Sequence, residues 1–201
     1  IKKAAALTNR EAGLLDDRMC NAITAACDEA LEGKLDAWFI TDAIQGGAGT
    51  TANMNVNEVI ANRATELLGG KKGEYLCHPN DHVNCSQSTN DVIPTAGRLT
   101  VIGLAEELFR NTQALTDALD GKARQFNDVI KMGRTQLEDA VPIRLGQEFA
   151  AYSSGIKRWE TLERKGVDEM HAVNLGSTAT GTASNVRRAY LSGVVPALSR
   201  I

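Results

Sequence analysis

The sequence predicts a mainly α-helical fold, and three observations carry that expectation. Two apolar seams with helical spacing each run for roughly 30 residues, far beyond the average globular helix of about 11 to 12. No strand-like alternation of comparable length accompanies them. Three polar stretches, rich in glycine or hydroxyls, each lead into a helical pattern.

Within the first 33 residues, Leu15, Met19, Ile23 and Ala26/Cys27 recur on one helical face, and Gly33 supplies a stop. A second helix is expected after Asn53, with Val56, Val59, Ile60 and Leu67 inward and Gly69-Gly70 ending it. Residues 71–91 carry glycine, proline and asparagine without periodicity and read as a long loop, a feature uncommon unless functional. From Pro94, the residues Val101, Leu104, Leu108, Leu115, Leu119 and Phe126 form the first long seam, despite Gly121. Leu145, Phe149, Tyr152, Ile156, Trp159, Leu162, Met170 and Val173 form the second. Such seams imply bundle packing, within the chain and across subunits.

Composition narrows the function. The 201 residues allow one domain, or one domain plus part of another, and a 43% hydrophobic share is enough for a core. A net charge of −3 without a basic stripe argues against nucleic acid or an anionic membrane as partner. No apolar run approaches the roughly 20 residues of a membrane helix. Cys20, Cys27, Cys77 and Cys85 form no CxxC pair, which fits a reducing, cytoplasmic setting and indicates neither zinc nor redox chemistry. The sequence starts at Ile1 and ends at Arg200-Ile201 just after a helix restarts, and so reads as a piece of a longer protein.

The candidate chemistry lies in the three polar stretches. They are "GGAGTTANMN", "HPNDHVNCSQSTNDVIPT", where Asp91 can cap and Pro94 can sit in the first turn, and "KMGRTQLEDAVPI", with Asp139 and Pro142 similarly placed. A helix N-terminus offers unpaired N–H groups and partial positive charge, so it holds an anion without a cation. Hydroxyls of Thr50, Ser88, Thr89 and Thr135 add donors. This suits a carboxylate better than a triphosphate, since "GGAGTT" lacks the lysine of a phosphate loop. Each stretch also has a plainer role: Ser, Thr, Asn and Asp before a helix are most often caps. His78 and His82 flank "PND" without a third metal ligand nearby, which favours hydrogen bonding over metal. Asn53, Asn55 and Asn57 cannot share one helical face, so most of them organise structure. Arg134 and Arg144 are expected to neutralise Glu138, Asp139 or Glu148.

Together, "GGAGTTANMNVNEVIANRA", "HPNDHVNCSQSTND" and "GRTQLEDAVPIRLGQEF" resemble the aspartase/fumarase superfamily, over about Asn9 to Asn185. The aspartase branch is the nearer, because Gln136 stands where class II fumarases, and some aspartases, place histidine. "VNLGSTATGTASN" (Val173 to Asn185) also resembles a segment of aspartases. The resemblance implies residues 1–86 as an N-terminal domain and 87–201 as the first part of a central bundle of long helices. It implies a cofactor-free lyase that interconverts L-aspartate with fumarate and ammonia, with no metal ligand among these residues and activation by a divalent metal left open. Carried over by position, Thr50, Ser88 and Thr89 hold the β-carboxylate, Asn90 and Gln136 lie near the amino group, and Thr135 lies near the α-carboxylate. His78, Asn80 and Asp81 match a second carboxylate site of fumarases. The family's "GSSxMPxKxN" loop, which bears the serine base, does not occur in these residues. Cys85 departs from the lysine of many relatives. Active sites of the superfamily combine segments from three subunits of a homotetramer. The alternatives are a class II fumarase or another fumarate-forming lyase, and a non-catalytic helical assembly module.

Overall fold

A computed structural model of the chain describes residues 1–184 and 186–201. Six α-helices dominate the described residues: α1 (Lys2–Glu11), α2 (Asp17–Leu31), α3 (Thr50–Leu67), α4 (Thr89–Gln125), α5 (Leu145–Glu169) and α6 (Arg188–Leu198). They are joined by one antiparallel hairpin, β1 (Ile130–Thr135) and β2 (Glu138–Arg144). The chain packs as two compact units, residues 1–97 with 173–201, and residues 98–172. The boundary at 86/87 drawn from sequence falls inside the first of these units.

In the first unit, Ala4, Ala5 and Ala6 let α1 sit deep between neighbours, all three being buried. On the α6 side a Cβ at Gly193 would stand 2.9 Å from Thr8 Cγ2, so this glycine sets how closely α1 and α6 approach. Helix α2 starts at Asp16, whose carboxylate accepts the Met19 N–H at 2.7 Å. It ends at Gly33 as expected, with φ +78° and the Gly33 and Lys34 N–H groups returning to Ala30 and Glu29 carbonyls. Cys20, Ile23, Ala26 and Cys27 meet Ile60, Ala61 and Ala64 of α3 in one core cluster, with Cys77 and Val83. A second cluster joins Ala5, Val92, Leu175, Tyr190 and Val194.

Helix α3 begins at Thr50, four residues before the expected start, because Gly49 takes φ +84° and acts as N-cap. Leu67, expected inward, is exposed at the helix end. The stretch 71–91 is less irregular than expected: Pro79–Val83 forms one π-helical turn and α4 starts at Thr89.

The second unit corrects the sequence reading most. "KMGRTQLEDAVPI" does lead into a helix, α5 at Leu145, but it does so as an unexpected hairpin, with Thr135 paired to Glu138 and a bulge between Met132 and Arg134. Asp139 and Pro142 therefore lie on β2 rather than capping a helix, and Asp139 accepts from Arg134 Nε at 2.9 Å. Arg144 reaches Asp128 at 3.2 Å, and Glu148 takes Lys131 at 2.6 Å instead. Helices α4 and α5 run antiparallel, since Asp120 bonds Ser153 and Lys157 while Phe109 stacks under Arg164. A Cβ at Gly146 would lie 2.3 Å from the Ala123 carbonyl, so only glycine lets α5 begin this close to α4.

Candidate carboxylate site

The segment Asn84–Asn90 is the best-anchored polar loop of the first unit. From α1, Asn9 donates to the Cys85 carbonyl at 2.9 Å and accepts the Ser86 hydroxyl at 2.8 Å. Lys2 Nζ donates to Asn84 Oδ1 at 2.8 Å. From α3, Asn53 donates to Asn84 Oδ1 at 3.4 Å and to Thr89 Oγ1 at 3.0 Å. Lys2, Asn9 and Asn53 are all buried, so these bonds form away from competing water. Burial drives the Lys2 ammonium down from its ordinary value to about 7, with the charges of Asp91 and Cys27 opposing the shift.

Ser88 and Asp91 form a reciprocal cap at the head of α4. Ser88 Oγ accepts the Asn90 N–H at 3.3 Å, and Asp91 Oδ1 accepts the Ser88 N–H at 2.9 Å. The capping role expected of Asp91 is real, and the capping role open to Ser88 is real too. It leaves chemistry available. Both Ser88 Oγ and Thr89 Oγ1 are used by the protein as acceptors, so each retains its own O–H to donate.

Thr50 opens α3 at an end without a side-chain cap, and its residue is exposed. The two helix starts adjoin: a Cβ at Gly49 would stand 2.9 Å from Ile93 Cγ2 in the first turns of α4. Gly46 and Gly47 have no such neighbour within 4 Å. Of the loop glycines, Gly49 is the one that close approach demands, and what it approaches is α4. Thr50, Ser88, Thr89 and Asn90 thus belong to one unit and one corner of it.

Thr135 and Gln136 belong to the second unit, at the hairpin tip. Gln136 and Leu137 form its two-residue turn with φ +49° and +65°, a backbone that side-chain-bearing residues seldom adopt. His78 Nδ1 accepts the Asp81 N–H at 3.2 Å and His82 Nδ1 accepts the His78 N–H at 2.8 Å. Both imidazoles are thus engaged in capping the π-helical turn, with Asn80 and Asp81 exposed beside them. A separate cavity of about 460 Å³ between α2 and α3 contains none of these residues, and its Arg63 is already paired with Glu29 at 2.6 Å. Cys27 and Cys77 are pushed up to about 12 by burial and are poor nucleophiles.

Sequence reasoning found the hydroxyls but not the groups that hold them. Lys2 meets Asn84, and Asn9 meets Cys85 and Ser86, across about 80 residues of chain, and no local pattern announces such pairs. Asn53 has a local signal, its place in the first turn of α3. Within "VNLGSTATGTASN", Gly176 and Thr178 donate to Asp91, while Asn185 lies outside the described residues.

The whole of residues 1–201 matches the family model described as lyase. The chain is 50% identical to the aspartate ammonia-lyase of Bacillus subtilis, over 100% of its own length and 42% of that protein's. It is 48% identical to the class II fumarate hydratase of Halobacterium salinarum, over 92% of its length and 40% of the relative's. Among solved structures, it matches a fumarate lyase:delta crystallin from Brucella melitensis bound to cobalt with a TM-score of 0.92 and 47% identity. That match covers 99% of this chain and 44% of the other. A class II fumarase from Schistosoma mansoni matches with a TM-score of 0.91 and 35% identity, over 99% and 42%. The chain thus spans about two-fifths of the length of the relatives it matches, and it belongs to the aspartase/fumarase superfamily of lyases.

Proposed function

We propose that the chain is part of an aspartate ammonia-lyase, which converts L-aspartate reversibly to fumarate and ammonia. One observation carries the chemistry: Ser88 and Thr89 accept hydrogen bonds from the protein, which reserves their O–H donors for an incoming anion at a helix start. On this reading Thr50, Ser88 and Thr89 bind the β-carboxylate. When the adjacent carbon loses its proton, charge moves onto that carboxylate as an aci-anion, and donors fixed beforehand bind it more strongly than the substrate. Thr135 meets the α-carboxylate, and Asn90 and Gln136 face the amino group. The proton goes to a serine on a loop outside these 201 residues. His78, Asn80 and Asp81 serve as a secondary carboxylate site. The reaction uses no organic cofactor. The working form is a cytoplasmic homotetramer with shared sites, residues 87–201 being the opening part of its bundle.

A second reading, class II fumarase, has support from the relative of that name. Gln136 favours the aspartase. Assay of the full-length protein with L-aspartate and with L-malate, following fumarate by ultraviolet absorbance, separates the two. Turnover of aspartate is expected, and turnover of malate alone would sink the proposal. Turnover of neither would leave a helical assembly module.

A further inference from the structure

We propose that Asp91 is a positioning residue that fixes the sense of the Asn90 amide, and through it the recognition of the substrate's amino group. The inference rests on the aspartate reading and deepens it. Asp91 is fully buried, and three backbone N–H groups point at its carboxylate. Oδ1 accepts from Ser88 at 2.9 Å, whereas Oδ2 accepts from Gly176 at 2.9 Å and from Thr178 at 3.1 Å. All of these partners are donors, so both oxygens must be acceptors. An amide, or a protonated acid, would turn a donor toward a donor on one side.

The bond to Gly176 and Thr178 spans 85 and 87 residues of chain and holds segment 174–179 against the head of α4. Thr178 sits at φ +60° there, a conformation that persists only when its surroundings enforce it. Two further bonds complete the clamp. Asn174 Nδ2 donates to the Asn90 carbonyl at 3.1 Å, and Asn90 Nδ2 donates to the Ala179 carbonyl at 2.8 Å. A backbone carbonyl can only accept, so the atom facing Ala179 has to be the amide nitrogen. The acceptor end, Oδ1, is therefore turned away from Ala179 on an exposed residue. An acceptor suits an ammonium group and repels a further carboxylate. Asp91 places the segment, the segment places the Ala179 carbonyl, and that carbonyl decides which end of Asn90 the substrate meets.

The test compares Asp91→Asn with the wild type in the full-length protein, using L-aspartate as substrate and succinate as a competitor that lacks the amine. Asp91→Asn should raise KM for aspartate about tenfold, the scale of one lost hydrogen bond to a charged group. The inhibition constant of succinate should move less than about threefold. Deuterium uptake in the peptide spanning 174–180 should quicken about tenfold or more, the mark of the released clamp. Asn174→Ala loosens the same segment from outside the binding groups and should shift both readouts in the same direction, and it decides the matter alone if Asp91→Asn does not fold. Equal weakening of aspartate and succinate, or unchanged exchange in 174–180, would overturn the assignment in favour of a plain helix cap. A wild type that neither turns over aspartate nor binds succinate would defeat the aspartate reading instead, with the exchange result still readable.

Discussion

Gly49 carries two constraints at once: a left-handed backbone at φ +84°, and a neighbour, Ile93, at 2.9 Å from where a Cβ would stand. Gly49→Ala should therefore destabilise the first unit by roughly 1–2 kcal/mol from the backbone alone, plus the shift of Ile93. Thermal unfolding reads it, and Gly46→Ala, with open space around it, is the control that should stay near wild type. Lys2 makes a different residue-scale demand. Its folded pKa, about 7, lies below the ordinary value of 10.5 because it is buried. Above about pH 10.5 the amine is neutral in both states and costs nothing; as pH falls toward 7 the unfolded chain takes up a proton that the folded one refuses. Lys2 thus lowers stability progressively from about pH 10.5 to about 7, and the loss is complete below that. Relative to Lys2→Met, the wild type should gain stability between pH 7 and pH 9.5 in urea titrations, and parallel behaviour of the two proteins would contradict this. Neither residue's role could be read locally. The motif "GGAGTT" does not say which glycine meets a neighbour, and Lys2 acquires its burial and its partner Asn84 only through the fold.

At the scale of elements, the helices were legible where a period and a stop coincide. Gly33 and Gly69 close α2 and α3 as expected, both with positive φ. The hairpin was not legible, for two physical reasons. Its turn uses Gln136-Leu137 where glycine or asparagine would normally signal a primed turn. Glu138–Val141 are all exposed, so β2 has no buried face there to impose alternation. The strain of that turn is measurable. Leu137 is 98% exposed, so Leu137→Gly removes no packing and relieves one left-handed residue. A stabilisation of up to about 1 kcal/mol is expected, the left-handed cost minus the entropy glycine adds to the unfolded chain. No change in melting temperature would show the turn to be relaxed already. The corresponding change at Gln136 would remove a proposed amino-group contact as well. The two neighbours therefore separate a backbone role from a chemical one: Leu137→Gly should leave activity of the full-length protein intact, and Gln136→Gly should not.

For the whole molecule, the decisive feature is how much of the long seams two helices can cover. In the second unit, α4 and α5 join along the side that carries Asp120, Ser153 and Lys157, with Phe126 against Phe149 at 5.6 Å. Leu104, Leu108 and Leu115 of α4 remain exposed, as do Tyr152, Trp159 and Leu162 of α5. The expectation of bundle-forming seams is thus met in position, while the partners that would bury them are not supplied by this unit. Apolar faces of this length, at about 25 cal/mol per Å², favour association strongly enough to outweigh its entropic cost once several side chains per helix are covered. The 201-residue chain is therefore expected to self-associate at micromolar concentration, and to do so little affected by salt, because apolar burial rather than charge drives it. Sedimentation velocity of the chain, and of the pair Leu104→Lys with Leu108→Lys, tests this. The double variant should shift toward monomer without losing helical circular dichroism, since both side chains already face water within the unit. A wild-type chain that sediments as a monomer at these concentrations would mean that the seams are covered within a single chain, against the interpretation that their partners are further copies.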